Sequence, residues 1–141
     1  MATSREKVLQ AASERDKYPL PQDCEVQGTV QESNCGDVLT IGFKTRRMAI
    51  TEIGFSLSES ACPPLFACAV VMCRKALNQP VISAYVIKSA DLAAELSTDG
   101  NLDAESVHCA MMVELAMKRA VIQFSQKTNE QRAAENAAPS P

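Results

Sequence analysis

The chain has 141 residues, and 46% of them are hydrophobic, which suits a single domain with a core of its own. Fourteen lysines and arginines stand against seventeen aspartates and glutamates, so the net charge is −3 and no strongly basic face is expected. This balance argues against nucleic acid as a partner. No apolar run approaches the roughly 20 residues that cross a bilayer, which argues against a membrane partner. Residues 1–17 carry charges of both signs and no apolar signal segment, so we expect a cytoplasmic protein.

The first part of the chain changes from a helical to a strand-like pattern. Residues 4–17 are predicted to form an amphipathic helix, because Ser4 is a suitable N-cap and Pro19 ends the pattern. From residue 26 onward apolar residues alternate with polar ones, which predicts strands. The predicted strands cover residues 26–30, 38–45 and 48–57, with Arg46 and Arg47 in a short hairpin turn between the last two.

Three helices are predicted after the strands. Proline is tolerated in the first helical turn, so residues 64–78 are predicted to form a helix that ends before Pro80. A second helix is predicted over residues 85–96. The third is predicted to start at Ser106 as its N-cap and to run through residue 126.

The order of these elements predicts the fold class. One helix, three strands and three further helices indicate an α+β fold. We expect a small three-stranded antiparallel sheet with the N-terminal helix and the three following helices packed on it. Residues 1–126 would form this domain, and residues 127–141, which are polar and bear alanine and proline, are predicted to be a disordered tail.

Six cysteines and one histidine limit the chemistry of the chain. Without an export signal the cysteines are expected to be reduced thiols rather than a disulfide framework. A single histidine excludes a three-histidine zinc site and any mechanism that needs two imidazoles. The cysteines nowhere form the CxxC spacing of a local zinc knuckle, so any metal site must be assembled from distant segments.

Three clusters of candidate ligands stand next to element boundaries. Cys62 comes directly before a predicted helix, where the positive end of the helix favours a thiolate. His108 and Cys109 are predicted in the first turn of the last helix, so two positive helix ends could face one anionic centre. Cys35 lies in a loop before a strand, where Asp37 offers an exchangeable oxygen ligand.

The other cysteines and the methionines are interpreted as packing residues. Cys68 and Cys73 are five residues apart, so their side chains point about 140° apart around a helix and cannot bind the same ion. Cys24 is placed in the loop after the first helix. Three methionines are predicted to fill the core: Met111, Met112 and Met117.

Four motifs in order resemble the U-type iron–sulfur cluster scaffolds, known as IscU or the N-terminal domain of NifU. They are Asn-Cys-Gly-Asp-Val at residues 34–38, Cys62 before the central helix, residues 87–96 (IKSADLAAEL), and the His108-Cys109 doublet. The resemblance covers about residues 5–125.

The resemblance implies a site and a role. The implied site holds a [2Fe–2S] cluster on Cys35, Cys62 and Cys109, and Asp37 and His108 would lie at the same site. Three thiolates and one labile oxygen or nitrogen ligand would hold a cluster while leaving it an exit. The implied role is that of a scaffold rather than an enzyme.

The same resemblance implies partners. The scaffold would receive sulfur from a cysteine desulfurase as a persulfide on Cys109 or Cys35, combine it with iron, and pass the cluster to apo iron–sulfur proteins. A frataxin-like protein or a ferredoxin is a further partner of such scaffolds. The Pro-Pro-Val-Lys segment that a specialised Hsp70-type chaperone recognises in the IscU branch is replaced by residues 103–106, so docking of that chaperone is not expected.

Departures from the family pattern keep two alternatives open. Glu32-Ser33 replaces the usual Asn-Pro ahead of Cys35, and Ala61 and Pro63 flank Cys62 where glycine is usual. One alternative is therefore a docking module with the same fold that holds Zn²⁺, or no metal, and binds partner proteins. The other is a thiol enzyme that pairs Cys109 with its neighbour His108, which is less favoured because adjacent helical residues point about 100° apart.

Overall fold

The computed structural model describes residues 4–24, 26–31, 36–58, 61–97 and 104–137. Within these residues the backbone forms five α-helices and one three-stranded antiparallel sheet, which confirms the α+β prediction. Four helices follow the sheet, one more than predicted. In chain order the elements are α1 (Ser4–Ala12), a 3₁₀ turn (Arg15–Lys17), β1 (Val26–Gln31), β2 (Val38–Arg46), β3 (Ala49–Leu57), α2 (Pro63–Ala76), α3 (Val81–Tyr85), α4 (Ser89–Leu96) and α5 (Ala104–Ala137).

The sheet is a meander in the order β1-β2-β3, with β2 in the centre. The alternation read from the sequence is confirmed, since Leu39, Ile41 and Phe43 of β2 are all fully buried. They face helix α5, and Phe43 packs against Phe124 of that helix with ring centroids 6.1 Å apart. The other face of the sheet is partly covered by the segment around Pro19, whose carbonyl lies against Gly54.

Helix α2 forms the centre of the helical layer. It is apolar on nearly every side, and a helix of that kind is stable only when it is buried. The helix contacts α1, α4, α5 and β3, and its residues from Leu65 to Cys73 are all buried. No helix in the described part of the chain is long and apolar enough to cross a membrane.

Two of the predicted helices are interrupted. The first ends at Ala12, and a separate 3₁₀ turn follows, instead of one helix to residue 17. The helix predicted over residues 85–96 ends at Leu96 as expected but begins only at Ser89, because Tyr85 belongs to the separate helix α3. The new start is stabilised by two carboxylates: the Lys88 N–H donates to Asp91 Oδ2 (2.9 Å) and the Ser89 N–H donates to Glu114 Oε1 of α5 (2.6 Å).

The last helix is longer than predicted at both ends. It begins at Ala104, so Ser106 is a buried residue of the first turn and not the N-cap. It also continues to Ala137, so the helix extends beyond its predicted end at residue 126 into the segment predicted to be a C-terminal tail. The physical reason is that residues 127–137 are rich in alanine, glutamate, glutamine and arginine, which favour helices, and contain no proline or glycine.

Both edges of the sheet are covered, which protects them from pairing with another chain. On β1, the Gln27 N–H donates to Gln123 Oε1 of α5 (2.7 Å), and Arg119 Nη1 of α5 donates to the Thr29 carbonyl (2.6 Å). On β3, the Phe55 N–H donates to the Tyr18 carbonyl at 3.0 Å. Helix α5 is therefore fixed to the edge of the sheet by hydrogen bonds as well as by packing.

Gly28 in β1 allows the closest approach of α5. A Cβ atom at this position would collide with the Ala116 carbonyl oxygen and would lie 2.5 Å from the Ala120 nitrogen. Both are backbone atoms of α5, so neither can rotate away. The helix consequently packs directly on the strand at this point.

The β2–β3 turn lies one residue further along than predicted. Arg46 ends β2 and pairs with Ala49, so the two turn residues are Arg47 and Met48. Their φ angles are 54° and 68°, as in the type I′ turns that suit the twist of a hairpin. These turns usually contain asparagine and glycine, because other residues are strained at positive φ.

Replacement of Arg47-Met48 by Asn-Gly is therefore expected to stabilise the protein. Relief of the positive-φ strain should raise the free energy of unfolding by about 1 kcal/mol. Urea denaturation measures this change, and the m-value should stay the same. The single substitution Arg46→Asn, at a strand position, is the control and should give no gain. An unchanged or lower free energy of unfolding for the Asn-Gly variant would contradict the turn assignment.

The substitution Gly28→Ala should destabilise the protein, because the added methyl group forces β1 and α5 apart. An overpacked site of this kind costs about 3 kcal/mol. The matched control is Gly36→Ala, where a Cβ meets nothing within 4 Å and only the φ of +75° is unfavourable. That control should cost about 1 kcal/mol. Equal losses in the two variants, measured by urea denaturation, would show that α5 does not approach β1 as described.

Candidate functional site

Cys62 is the N-cap residue of α2. Its backbone is extended, with φ −72° and ψ 151°, and Pro63 follows as the first helical residue. The Cys62 carbonyl accepts the first hydrogen bond of the helix, from the Leu65 N–H at 3.0 Å. The thiol itself makes no capping hydrogen bond, although cap side chains commonly do. The half-buried side chain of Cys62 is directed instead toward α5.

Cys109 meets Cys62 from the second turn of α5. Its side chain is only 4% exposed, and the two Sγ atoms are 3.6 Å apart. The two cysteines are 47 residues apart in sequence, and the packing of α2 against α5 brings them together. The structure therefore joins two of the three predicted thiols in one place.

The spacing of the Cys62 and Cys109 thiols suits a shared metal ion. A disulfide would need about 2.05 Å between the sulfur atoms, and neither cysteine is in one. Two thiolates bound to one tetrahedral ion at about 2.3 Å are separated by about 3.8 Å. The observed 3.6 Å is close to that value. The pair thus has the geometry of two ligands of one centre without large movement of either side chain.

The cysteines interpreted as packing residues are buried or held in a loop. Burial raises the pKa of Cys68 to about 12, and the nearby Cys62 adds a smaller effect in the same direction. Burial also raises the pKa of Cys73. Both thiols therefore stay protonated at neutral pH and are poor ligands. Cys24 is half-buried after the 3₁₀ turn and accepts a hydrogen bond from Gln27 Nε2 at 3.0 Å.

The remaining predicted site residues are Cys35, Asp37 and His108. Cys35 lies outside the described residues. Asp37 is half-buried directly before β2, and His108 is exposed on α5, one residue from Cys109 and hence about 100° around the helix. No group of three or more histidine, cysteine, aspartate or glutamate side chains that could hold a metal ion is found among the described residues. The roles of Cys35, Asp37 and His108 stay predictions.

A groove beside His108 is a feature that the sequence analysis missed. It has a volume of about 420 Å³ and lies between α5 and the end of β1. The prediction that Met111 fills the core is wrong, because the side chain lines this groove and is 57% exposed, whereas Met112 and Met117 are buried as expected. The spacing of the exposed apolar residues on one face of α5 was the available signal: Val107, Met111, Leu115 and Ile122.

Comparisons with known proteins agree with this architecture. Residues 5–131 match the family model of the NifU-like N terminal domain. Two curated proteins of Archaeoglobus fulgidus, iron-sulfur cluster assembly scaffold proteins IscU 1 and IscU 2, are each 25% identical to this chain over 114 residues. The match covers 77% of this chain and 68% of each relative.

Solved structures show the same fold at low sequence identity. A NifU-like N-terminal protein from Brucella abortus superposes with a TM-score of 0.66 at 15% identity, covering 86% of this chain and 94% of the other. A putative iron-sulfur cluster assembly scaffold protein of the SUF system from Fervidobacterium islandicum gives a TM-score of 0.64 at 14% identity, covering 82% and 94%. Because the family model matches nearly the whole described chain, this protein belongs to the family of NifU-like N-terminal domains.

Proposed function

We propose that this chain is a scaffold on which a [2Fe–2S] cluster is assembled and from which the cluster is transferred. The observation that carries the proposal is the contact between the thiols of Cys62 and Cys109, 3.6 Å apart. Membership of the NifU-like family and similarity to proteins named as cluster assembly scaffolds support the same role. The cluster is then the cargo of the protein and not a resident cofactor, and the chain acts as a carrier rather than an enzyme.

The proposed ligands are Cys35, Cys62 and Cys109, with Asp37 and His108 at the same site. Iron–sulfur clusters are held by soft thiolate ligands, and two of these thiols already have the spacing of ligands to one centre. Asp37 is half-buried at the start of β2, where a carboxylate would supply a harder and more exchangeable ligand. A mixed ligand set of this kind would release a cluster more readily than four cysteines.

The proposed partners follow from this role. A cysteine desulfurase would deliver sulfur as a persulfide on Cys109 or Cys35, by attack of a thiolate on the donor persulfide. Because Cys109 is only 4% exposed, delivery to this residue would require the contact with Cys62 to open. Apo iron–sulfur proteins would receive the cluster, with a frataxin-like protein or a ferredoxin as further partners, and the site of action would be the cytoplasm.

Removal of any one proposed thiolate should prevent stable cluster formation. We expect Cys35→Ala, Cys62→Ala and Cys109→Ala each to abolish the visible absorbance and the bound iron after anaerobic reconstitution with iron, cysteine and a desulfurase. The matched control is Cys68→Ala, which removes a nearby thiol that burial keeps protonated, and this variant should still bind the cluster. Cluster binding by Cys109→Ala together with its loss in Cys68→Ala would show that the ligand assignment is wrong.

Asp37→Ala should slow the release of the cluster, because the exchangeable oxygen ligand is lost. We expect transfer to an apo-ferredoxin to be roughly tenfold slower, in the range of other changes next to metal ligands. Circular dichroism of the ferredoxin cluster follows the transfer. Asp23→Ala, at an exposed loop position, is the control and should transfer at the wild-type rate. Equal rates for Asp37→Ala and the wild type would remove Asp37 from the proposal.

A zinc-bound docking module is the second candidate function. The spacing of the two thiols suits a tetrahedral zinc–thiolate site as well as a cluster, so this geometry supports both. Metal analysis of protein purified without oxygen separates the two candidates. Iron and sulfide taken up in equal amounts support the scaffold, whereas tightly held Zn²⁺ with no iron uptake supports the docking module.

A further inference from the structure

The contact between Cys62 and Cys109 has a chemical consequence for the metal-free protein. Neither thiol is in a disulfide, and their sulfur atoms are 3.6 Å apart. A disulfide requires about 2.05 Å, so the two sulfur atoms together need to approach by only about 1.5 Å. The two side chains come from different helices, and a small movement of each could therefore form a covalent bond between α2 and α5.

The two thiols differ in their access to solvent. Cys62 is half-buried at the start of α2, whereas Cys109 is 4% exposed. A small oxidant therefore reaches Cys62 first, and Cys109 is placed to attack the product. Cys68 is also near Cys62, but it is fully buried within α2, so neither the oxidant nor the mixed disulfide is expected to reach it.

We propose that Cys62 and Cys109 are a reversible oxidation site, which low-molecular-weight disulfides such as oxidised glutathione convert into an intramolecular disulfide. The consequence for metal uptake rests on the proposed function, because the disulfide removes two of the three proposed thiolate ligands. The formation of the disulfide itself depends only on the two thiols and their contact.

The reaction proceeds by two thiol–disulfide exchanges. The Cys62 thiolate attacks one sulfur of oxidised glutathione, which forms a mixed disulfide and releases one glutathione thiolate. The Cys109 thiolate then attacks Cys62 Sγ, which forms the Cys62–Cys109 bond and releases the second glutathione thiolate. Two protein thiols lose their protons and two electrons in all, and oxidised glutathione gains them as two molecules of glutathione. A dithiol reductant reverses both steps.

This oxidation would affect the metal-free protein but not the protein that holds a metal ion or cluster. A bound metal ion or cluster occupies both sulfur atoms, so the loaded protein is protected from exchange. The empty protein is not protected and becomes unable to accept metal until it is reduced. The site would thus keep the empty scaffold from taking up metal under oxidising conditions.

Peptide mapping of the oxidised protein tests the proposal. Metal-free full-length chain is incubated with oxidised glutathione at pH 7.5, the remaining thiols are blocked with iodoacetamide, and the tryptic peptides are identified by mass spectrometry. We expect one disulfide, between Cys62 and Cys109, that dithiothreitol removes completely. A disulfide that involves Cys35, a lasting glutathione adduct on wild-type Cys62, or six blocked thiols with no protein disulfide would each overturn the proposal.

Single variants test the order of the two steps. In Cys109→Ser the reaction should stop at the first step, so that glutathione stays attached to Cys62. In Cys62→Ser the buried Cys109 should remain unmodified over the same time. Cys24→Ser is the control, and it should form the Cys62–Cys109 disulfide as the wild type does. Glutathione attached first to Cys109 would contradict the order that the difference in burial predicts.

Metal binding measured on the same samples keeps the two proposals apart. Reduced protein should take up cobalt ions, the oxidised protein should lose this uptake, and dithiothreitol should restore it. If the disulfide forms but the reduced protein binds neither cobalt nor iron, the proposed function fails and the oxidation site stands. If the reduced protein binds metal but no Cys62–Cys109 disulfide forms, the oxidation site fails and the proposed function stands.

Discussion

The packing of α5 on the sheet and on α2 is the contact on which the site depends. Gly28 lets the α5 backbone approach β1, and Gln123 and Arg119 complete the hydrogen bonds of the strand edge. These contacts fix how α5 is rotated about its axis and where it lies along β1, and they thereby fix the position of Cys109. Cys62 lies on the other side of the α2–α5 contact, where it is the N-cap residue of α2. The distance between the two thiols is therefore set by the packing of these two helices.

Burial distinguishes Cys62 from the two cysteines inside α2. Cys68 and Cys73 lie inside the packed α2 face, where loss of hydration keeps their thiols protonated. Cys62 lies only six residues before Cys68, but it precedes the helix and has access to solvent. One helix thus presents an inert thiol and an available thiol close to each other. This difference explains why Cys62 serves both proposals for the thiol pair, metal binding and reversible oxidation, while Cys68 serves as the control.

Much of the fold could be predicted from the sequence, because its signals are local. Alternation predicted all three strands, and proline marked the start of α2. The break between α3 and α4 was missed because Glu114, which accepts the Ser89 N–H, lies in a distant helix. For the site, the motifs selected Cys62 and Cys109, but their contact depends on packing between elements 47 residues apart, which no local pattern encodes. The exposure of Met111 was missed because the helical period of 3.6 residues identifies the apolar faces of a helix. It does not show which of those faces packs against the rest of the protein.

The proposed function requires that Cys62 and Cys109 ligate the same metal centre. Cobalt titration of the reduced protein under nitrogen tests it most directly, because the intensity of the sulfur-to-cobalt charge-transfer band rises with the number of bound thiolates. We expect Cys62→Ser and Cys109→Ser each to lower this intensity and Cys73→Ser to leave it unchanged. A wild-type band in either Cys62→Ser or Cys109→Ser would show that the two thiols do not share an ion, despite their contact.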